Sequence, residues 1–182
     1  MCWFRKKKNN EDALKLLHEY VTCFAEPQIN VDLRSGLVTK EVETLDGLFE
    51  DNILPNILYR HVNIDSTMKI DDIIQDPAYM SASKSFEAYY GKIYGQDLSC
   101  LRIHTKDTEL KSIDVDKLLG EQGEEEVILP RNIKLRIISM KKYTSNDFNG
   151  LLNEMHCDHI MNAKTLIADN ISSYTVYDVE VA

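Results

Sequence analysis

Three consecutive glutamates, Glu124 to Glu126, run directly into an apolar stretch that ends at Pro130. Side chains alternate along a strand, so we expect Glu124 and Glu126 on one face and Glu125 on the other. Two strand rises separate the first and third glutamates by roughly 6–7 Å, a reach at which two carboxylates suit chemistry at a glycosidic bond. A charged, solvated strand entry explains the same residues, and the glutamates taken alone favour this second explanation.

Two upstream segments change that balance. Arg60 lies in a short apolar stretch typical of a strand, and Ser81 and Ser83 lie in another, after the turn signal Asp76-Pro77. In this order and spacing, the arginine, serine and glutamate segments resemble the mono-ADP-ribosyltransferase superfamily of the arginine–serine–glutamate type. That superfamily includes bacterial exoenzyme toxins and arginine-specific ectoenzymes. The resemblance spans residues 58 to 139, and the string EEEVILP is itself very like the family's.

The resemblance implies NAD as co-substrate and gives roles to the arginine and the serines. Arg60 matches the arginine that holds an NAD phosphate, and the fork of a guanidinium suits bidentate binding of such an oxyanion. Ser81 matches the serine whose hydroxyl hydrogen-bonds the catalytic glutamate, and Ser83 matches the last serine of the same motif. Ala82 stands where the family usually has threonine. This alanine removes a hydroxyl that would help to brace the site.

The resemblance also implies different roles for the three glutamates. Glu126 matches the catalytic glutamate, which holds the ribose 2′-hydroxyl and stabilises the oxocarbenium-like state that forms as the nicotinamide–ribose bond breaks. Glu124 matches the second carboxylate, which orients an incoming guanidinium and helps to deprotonate it. In the family, glutamate rather than glutamine at this place goes with arginine as the acceptor. Glu125 keeps the interpretation of a charged strand entry.

Two further segments take roles from the family. An aromatic residue after the serine motif stacks on nicotinamide, and Phe86, Tyr89, Tyr90 and Tyr94 are all candidates, of which we favour Phe86 and Tyr90. Residues 116–123 match the loop that presents the target, and their two glycines and polar side chains fit a mobile turn.

Composition excludes several other classes of protein. The chain has 182 residues, enough for one domain with its own core. Its net charge of −9 argues against a nucleic-acid-binding surface, and no apolar run approaches membrane-spanning length. No glycine-rich phosphate loop is present, and the basic N-terminus does not have the pattern of a signal peptide.

Four widely spaced cysteines predict reduced thiols. The string His156-Cys157-Asp158-His159 offers metal-ligand types without a partner motif, so we assign no metal.

The hydrophobic pattern predicts helices first and short strands afterwards. Helices are expected over 11–25, with Asn10 as N-cap and Pro27 as terminator, and over 37–49, 86–90 and 147–168. Strands are expected over 57–62, 79–83, 98–104, 111–115, 126–129, 134–139 and 174–181. We therefore predict an α+β fold of the ADP-ribosyltransferase type, with helices on a mostly antiparallel two-sheet core and an NAD cleft. We expect residues 1–182 to form one catalytic domain, with 1–10 as a flexible tail.

The sequence thus predicts an enzyme that releases nicotinamide from NAD and transfers ADP-ribose to an accessible arginine of a protein. We expect a soluble toxin or effector, without stable membrane insertion, that acts in the cytoplasm or after delivery into a host cell. An NAD glycohydrolase that uses the same site on water is one alternative. A non-catalytic interaction module that keeps the fold is another, and Ala82 leaves it open.

Overall fold

The structure is a computed structural model that describes residues 2–22, 26–62, 64, 67–87, 95–106, 108–120, 125–157 and 170–182. Within them, the helices are α1 (Cys2–Val21), α2 (Glu26–Arg34), α3 (Lys40–Asp46), α4 (Val115–Leu119) and α5 (Phe148–Glu154). The strands are β1 (Glu50–Asp51), β2 (Ile57–His61), β3 (Ile73–Gln75), β4 (Met80–Ser83), β5 (Asp97–His104), β6 (Lys111–Asp114), β7 (Glu126–Leu129), β8 (Lys134–Thr144) and β9 (Ser173–Val181).

The strands follow the order β1-β6-β7-β4-β2-β5-β9-β8-β3. Every neighbouring pair is antiparallel except β5 and β9, which run parallel. Strands β2 and β4 meet at one pair, Tyr59 with Ser83, whereas all of β2 pairs with β5 and all of β4 with β7. The sheet therefore consists of two halves that join at this pair. The predicted α+β class and the mostly antiparallel core are confirmed, and the two sheets that we expected are two halves of one continuous sheet.

Helices cover one face of each half. Leu17 and Tyr20 of α1 and Leu45 of α3 pack with Tyr79 and Ile128 of the β4–β7 half. In the other half, the buried residues of α5 pack against the β2, β5, β8 and β9 side, in a cluster that includes Phe148, Leu151, Tyr59, Cys100 and Tyr174. A third cluster, which includes Leu58, Ala82, Val127 and Ile137, fills the opposite face. Burial of these apolar side chains is the main force that fixes the strands that carry the candidate site.

The N-terminal helices differ from the prediction. Helix α1 begins at Cys2, so Asn10 lies inside it and the predicted tail of residues 1–10 is helical from Cys2. Pro27 does not end a helix but lies in the first turn of α2, where a missing N–H costs little. The predicted helix over 37–49 is the shorter α3, whose N-cap hydroxyl, Thr39 Oγ1, accepts from the backbone N–H of Val42 at 3.4 Å.

Later elements also depart from the expectation. Residues 86–87 are bends rather than the start of a helix, and 88–90 lie outside the described part of the chain. The predicted helix over 147–168 is α5, which is followed by a turn at His156 with a φ of +56°; residues 158–168 lie outside the described part. The segment expected as a mobile loop at 116–123 begins as helix α4, capped by Asp114 and followed by Gly120 at a φ of +82°.

Candidate active site

Glu126 is the first residue of β7, and the register of the sheet determines its neighbours. Ser83 lies directly opposite Glu126, and Ser81 lies opposite Ile128. Directly opposed residues have Cβ atoms roughly 4.5–5.5 Å apart, whereas diagonal neighbours are roughly 7–8 Å apart. Glu126 is 7% exposed and Ser83 is fully buried. Ser83, rather than the expected Ser81, is therefore the direct cross-strand neighbour of the catalytic candidate.

The backbone changes direction just before Glu126. Glu125 has a φ of +49°, in the left-handed region that non-glycine residues rarely occupy. Its carbonyl accepts from the backbone N–H of Lys84 at 3.0 Å, which extends the pairing of β4 with β7. The alternation of a regular strand does not extend across such a residue, so it cannot place Glu124 on the face of Glu126. Glu124 itself lies outside the described residues.

Arg60 lies at the place where the two halves of the sheet diverge. Its Nη1 donates to the carbonyl oxygen of Ser81 at 2.5 Å, and Ser81 lies two residues before Ser83, the register partner of Tyr59. Burial opposes ionisation of Asp76, but hydrogen bonds from Arg34 and from the Ala78 N–H, together with the charges of Arg34 and Arg60, lower its pKa. The guanidinium of Arg60 is thus hydrogen-bonded to the serine strand, and its positive charge contributes to the lowered pKa of Asp76.

Phe86 occupies the core rather than an open cleft. It is 2% exposed. Its ring contacts those of Tyr59, His61 and Tyr174, with centroids 5.6, 4.9 and 5.7 Å away. A ring enclosed in this way has no face left for nicotinamide, so its position contradicts the stacking role that we expected. Tyr90, the other favoured aromatic, lies outside the described residues, as do Tyr89 and Tyr94.

His61, beside Arg60, holds the segment that follows the serine motif, a role that the sequence did not indicate. Its Nε2 lies 2.6 Å from the carbonyl oxygen of Phe86, and its Nδ1 is hydrogen-bonded to the hydroxyl of Tyr174. Burial is the main cause that lowers the pKa of His61. The neutral ring therefore donates from Nε2 and accepts at Nδ1, and it links β2, β9 and the residues after β4.

Lys84 and Arg102, two other cations near these strands, are bound to carboxylates of the chain. The amine of Lys84 lies 2.9 Å from each carboxylate oxygen of Asp114. Arg102 binds Asp178 through Nε and Nη2 and Glu154 through Nη1. Burial opposes ionisation of Asp178, but hydrogen bonds from Arg102, Ser139 and His104 outweigh it and lower its pKa to about 2. Both cations thus serve the fold, whereas Arg60 lies beside the serine motif.

The remaining sequence hypotheses concern metals and membranes. Within the described ranges, no group of three metal-ligand side chains comes together. Asp158 and His159 fall outside those ranges, so the metal hypothesis at 156–159 stays untested. Among the helices of the described residues, none has the length and apolar character needed to span a membrane.

Comparison with known proteins defines the class of the chain. The family model described as ADP-ribosyltransferase exoenzyme matches residues 6–158. The chain therefore belongs to the ADP-ribosyltransferase exoenzyme family, whose members use NAD as co-substrate. No curated protein matches the chain in sequence.

Solved structures of ADP-ribosyltransferases share the fold. The toxin Plx2a from Paenibacillus larvae has a TM-score of 0.61 at 16% identity, over 94% of this chain and 86% of that one. The ADP-ribosyltransferase Vis, solved in complex with agmatine, has a TM-score of 0.61 at 13% identity, over 94% and 74%. The Salmonella SpvB ATR domain has a TM-score of 0.55 at 17% identity, over 94% and 98%. At these identities, the likeness concerns the fold alone.

Proposed function

We propose that this protein transfers ADP-ribose from NAD to an arginine of a target protein and releases nicotinamide. The observation that carries the proposal is the position of Glu126, a carboxylate 7% exposed at a strand start, opposite Ser83. Arg60 lies on β2, the strand next to β4 in the sheet, and its guanidinium donates to a backbone carbonyl of β4. A guanidinium, hydroxyls and a carboxylate on adjacent strands are the groups that a dinucleotide with two phosphates and a ribose requires.

The residues that would hold NAD fit it chemically. Arg60 carries a planar guanidinium fork, the geometry that binds a phosphate oxyanion through paired N–H donors. Glu126 accepts from the ribose 2′-hydroxyl and stabilises positive charge at the ribose as nicotinamide leaves. Ser83 lies where its hydroxyl can fix the carboxylate of Glu126. NAD itself supplies the glycosidic bond whose cleavage drives the transfer.

Separate observations support arginine as the acceptor residue. Vis was solved with agmatine, which carries the guanidinium group of arginine. In this chain, Glu124 is two residues before Glu126, so a carboxylate is available to take the proton that the guanidinium nitrogen loses as it bonds to the ribose. The acidic character of the chain, with a net charge of −9, also favours a cationic acceptor.

Nicotinamide release is the direct test. Wild-type protein should release nicotinamide from NAD, and Glu126→Gln should lower the turnover number roughly 10²- to 10³-fold, the usual cost of removing a group that stabilises transition-state charge. Glu125→Gln is the matched control, because this exposed neighbour should not reach the substrate. Absence of nicotinamide release by the wild type, together with no NAD-induced rise in melting temperature, would refute the enzymatic proposal and favour a non-catalytic module.

The acceptor requires a second experiment. Mass spectrometry of agmatine or of lysate proteins after incubation with NAD should find ADP-ribose on guanidinium groups. Glu124→Gln should abolish this transfer and keep NAD hydrolysis. If wild-type protein hydrolyses NAD and modifies no guanidinium group, the protein is a glycohydrolase. Equal loss of transfer and hydrolysis in Glu124→Gln would contradict the separate roles given to Glu124 and Glu126.

A further inference from the structure

We propose that the ion pair between Lys84 and Asp114 is a positioning clamp for the catalytic strand β7, an inference that rests on the proposed function. Strand β7 lies between β4 and β6 in the sheet. Lys84 directly follows β4, and Asp114 is the last residue of β6. The ion pair therefore spans β7 from one neighbouring strand to the other.

The clamp acts on the first residues of β7 from both sides. The backbone N–H of Lys84 donates to the carbonyl of Glu125 at 3.0 Å. Asp114 is the register partner of Val127. The backbone of Glu126 is thus enclosed between the attachments of the two members of the ion pair. Because side chains alternate along a strand, Asp114 lies on the face of Val127, behind the face that carries Glu126 and Ser83.

Asp114 also holds the helix that leads towards the glutamates. Its carboxylate accepts from the backbone N–H of Lys117 at 3.3 Å and so caps α4. The same carboxylate receives the Lys84 amine at 2.9 Å through each oxygen. One side chain therefore connects the end of the serine strand to the start of α4, the helix with which the expected acceptor segment at 116–123 begins.

The environment makes this ion pair more than a surface contact. The side chains of Lys84 and Asp114 are 28% and 17% exposed. By contrast, Lys117 on α4 reaches Glu50 at 3.4 Å, with both side chains at least half exposed, at 55% and 50%. Solvent screens the second pair strongly and the first much less. Because β7 begins at Glu126 and the residue before it, Glu125, holds an unfavourable φ, the clamp keeps this strand start in place.

Variants that remove the charge and keep the shape test the clamp. Lys84→Met keeps a long side chain, and Asp114→Asn keeps an oxygen that can cap α4. Each should lower the turnover number for nicotinamide release roughly three- to tenfold, with a KM for NAD within about twofold of wild type. The double variant should be no worse than either single one, because both remove the same interaction. Lys84→Arg should keep wild-type activity, and the control Lys15→Met, which removes an exposed ion pair with Glu19 on α1, should leave activity unchanged.

The outcomes separate the clamp from the proposed function. Melting temperatures confirm first that each variant is folded at the assay temperature. If wild-type protein releases no nicotinamide, the proposed function fails and the clamp fails with it. If wild-type protein is active and Lys84→Met matches it, the clamp alone is wrong. Losses that multiply in the double variant, or that appear in the KM for NAD, equally overturn the clamp.

Discussion

Asp178→Asn should destabilise the protein at neutral pH and much less in acid. The Asp178 side chain is 11% exposed and binds Arg102, Ser139 and His104. Burial opposes its ionisation, but these hydrogen bonds lower its pKa from 3.8 to about 2. A difference of about two pKa units between the unfolded and folded states is worth about 2.5 kcal/mol at pH 7. Asparagine keeps the shape and removes this contribution.

The sign of the pH dependence follows from the lowered pKa. A carboxyl whose pKa is lower in the folded state stabilises the protein fully above its unfolded pKa. That stabilisation is lost as the pH falls through the folded pKa of Asp178, about 2. The same two pKa values give a difference between wild type and Asp178→Asn of about 2.5 kcal/mol at pH 7 and about half of that at pH 3. Glu154 has a pKa lowered to about 2 in the same network, so both proteins retain some acid sensitivity.

Urea unfolding followed by circular dichroism at pH 7, 5, 4 and 3 measures this difference directly. Glu180→Gln is the matched control, because Glu180 lies on the same strand and pairs with Arg136 on an exposed surface. That substitution should produce no measurable change in the free energy of unfolding. A difference for Asp178→Asn that is the same at pH 7 and pH 3 would refute the reasoning, because it would show that the charge of Asp178 contributes nothing.

Three further predictions address the site and its support. Ser83→Ala should lower the turnover number for nicotinamide release more than Ser81→Ala, by roughly tenfold, because Ser83 faces the catalytic strand start; equal losses would contradict the register argument. Glu125→Gly should raise the melting temperature or leave it unchanged, whereas Glu125→Val should lower it, since the φ is +49°; the reverse order would exclude backbone strain. Tyr79→Phe should cost about 1–2 kcal/mol in urea unfolding, because its hydroxyl binds Asp46 at 2.7 Å; an unchanged midpoint would show that this bond contributes nothing.

The sequence predicted the longer strands because apolar residues recur in them at strand spacing. In β7 the apolar run Val127–Leu129 follows Glu126, and in β5 the apolar residues Leu98, Cys100, Leu101 and Ile103 alternate with polar ones in part, so the pattern indicates both. The short strands β1 and β3 carry no such pattern and were not predicted. The pairing of β4 with β7 was beyond such reasoning. A shift of two residues leaves every side chain on the same face, so the pattern cannot tell whether Ser81 or Ser83 lies opposite Glu126. Only the packing of the whole sheet decides that.

Other parts of the site depend on contacts that a linear pattern does not contain. Phe86 has the right chemistry for stacking on a ligand and equally for the core, and the rings of Tyr59, His61 and Tyr174 decide the matter. Pro27 is compatible with both the end of one helix and the first turn of the next. The capping role of Asp114 carried a readable signal, an aspartate before a helical stretch, which the glycines further on obscured.

The bond from Arg60 to the carbonyl of Ser81 has a consequence for mutagenesis. A variant at this position loses a strut between the two half-sheets as well as a group that would attract a phosphate. An ammonium cannot reproduce the geometry of a planar fork. Weaker NAD binding by Arg60→Lys would therefore combine two effects, the loss of the bond between the two halves of the sheet and the loss of the phosphate-binding group. Calorimetric unfolding without nucleotide reports the first defect, and its comparison with nucleotide affinity isolates the second. Substitution of Arg60 should therefore lower the stability of the sheet even where no nucleotide is bound.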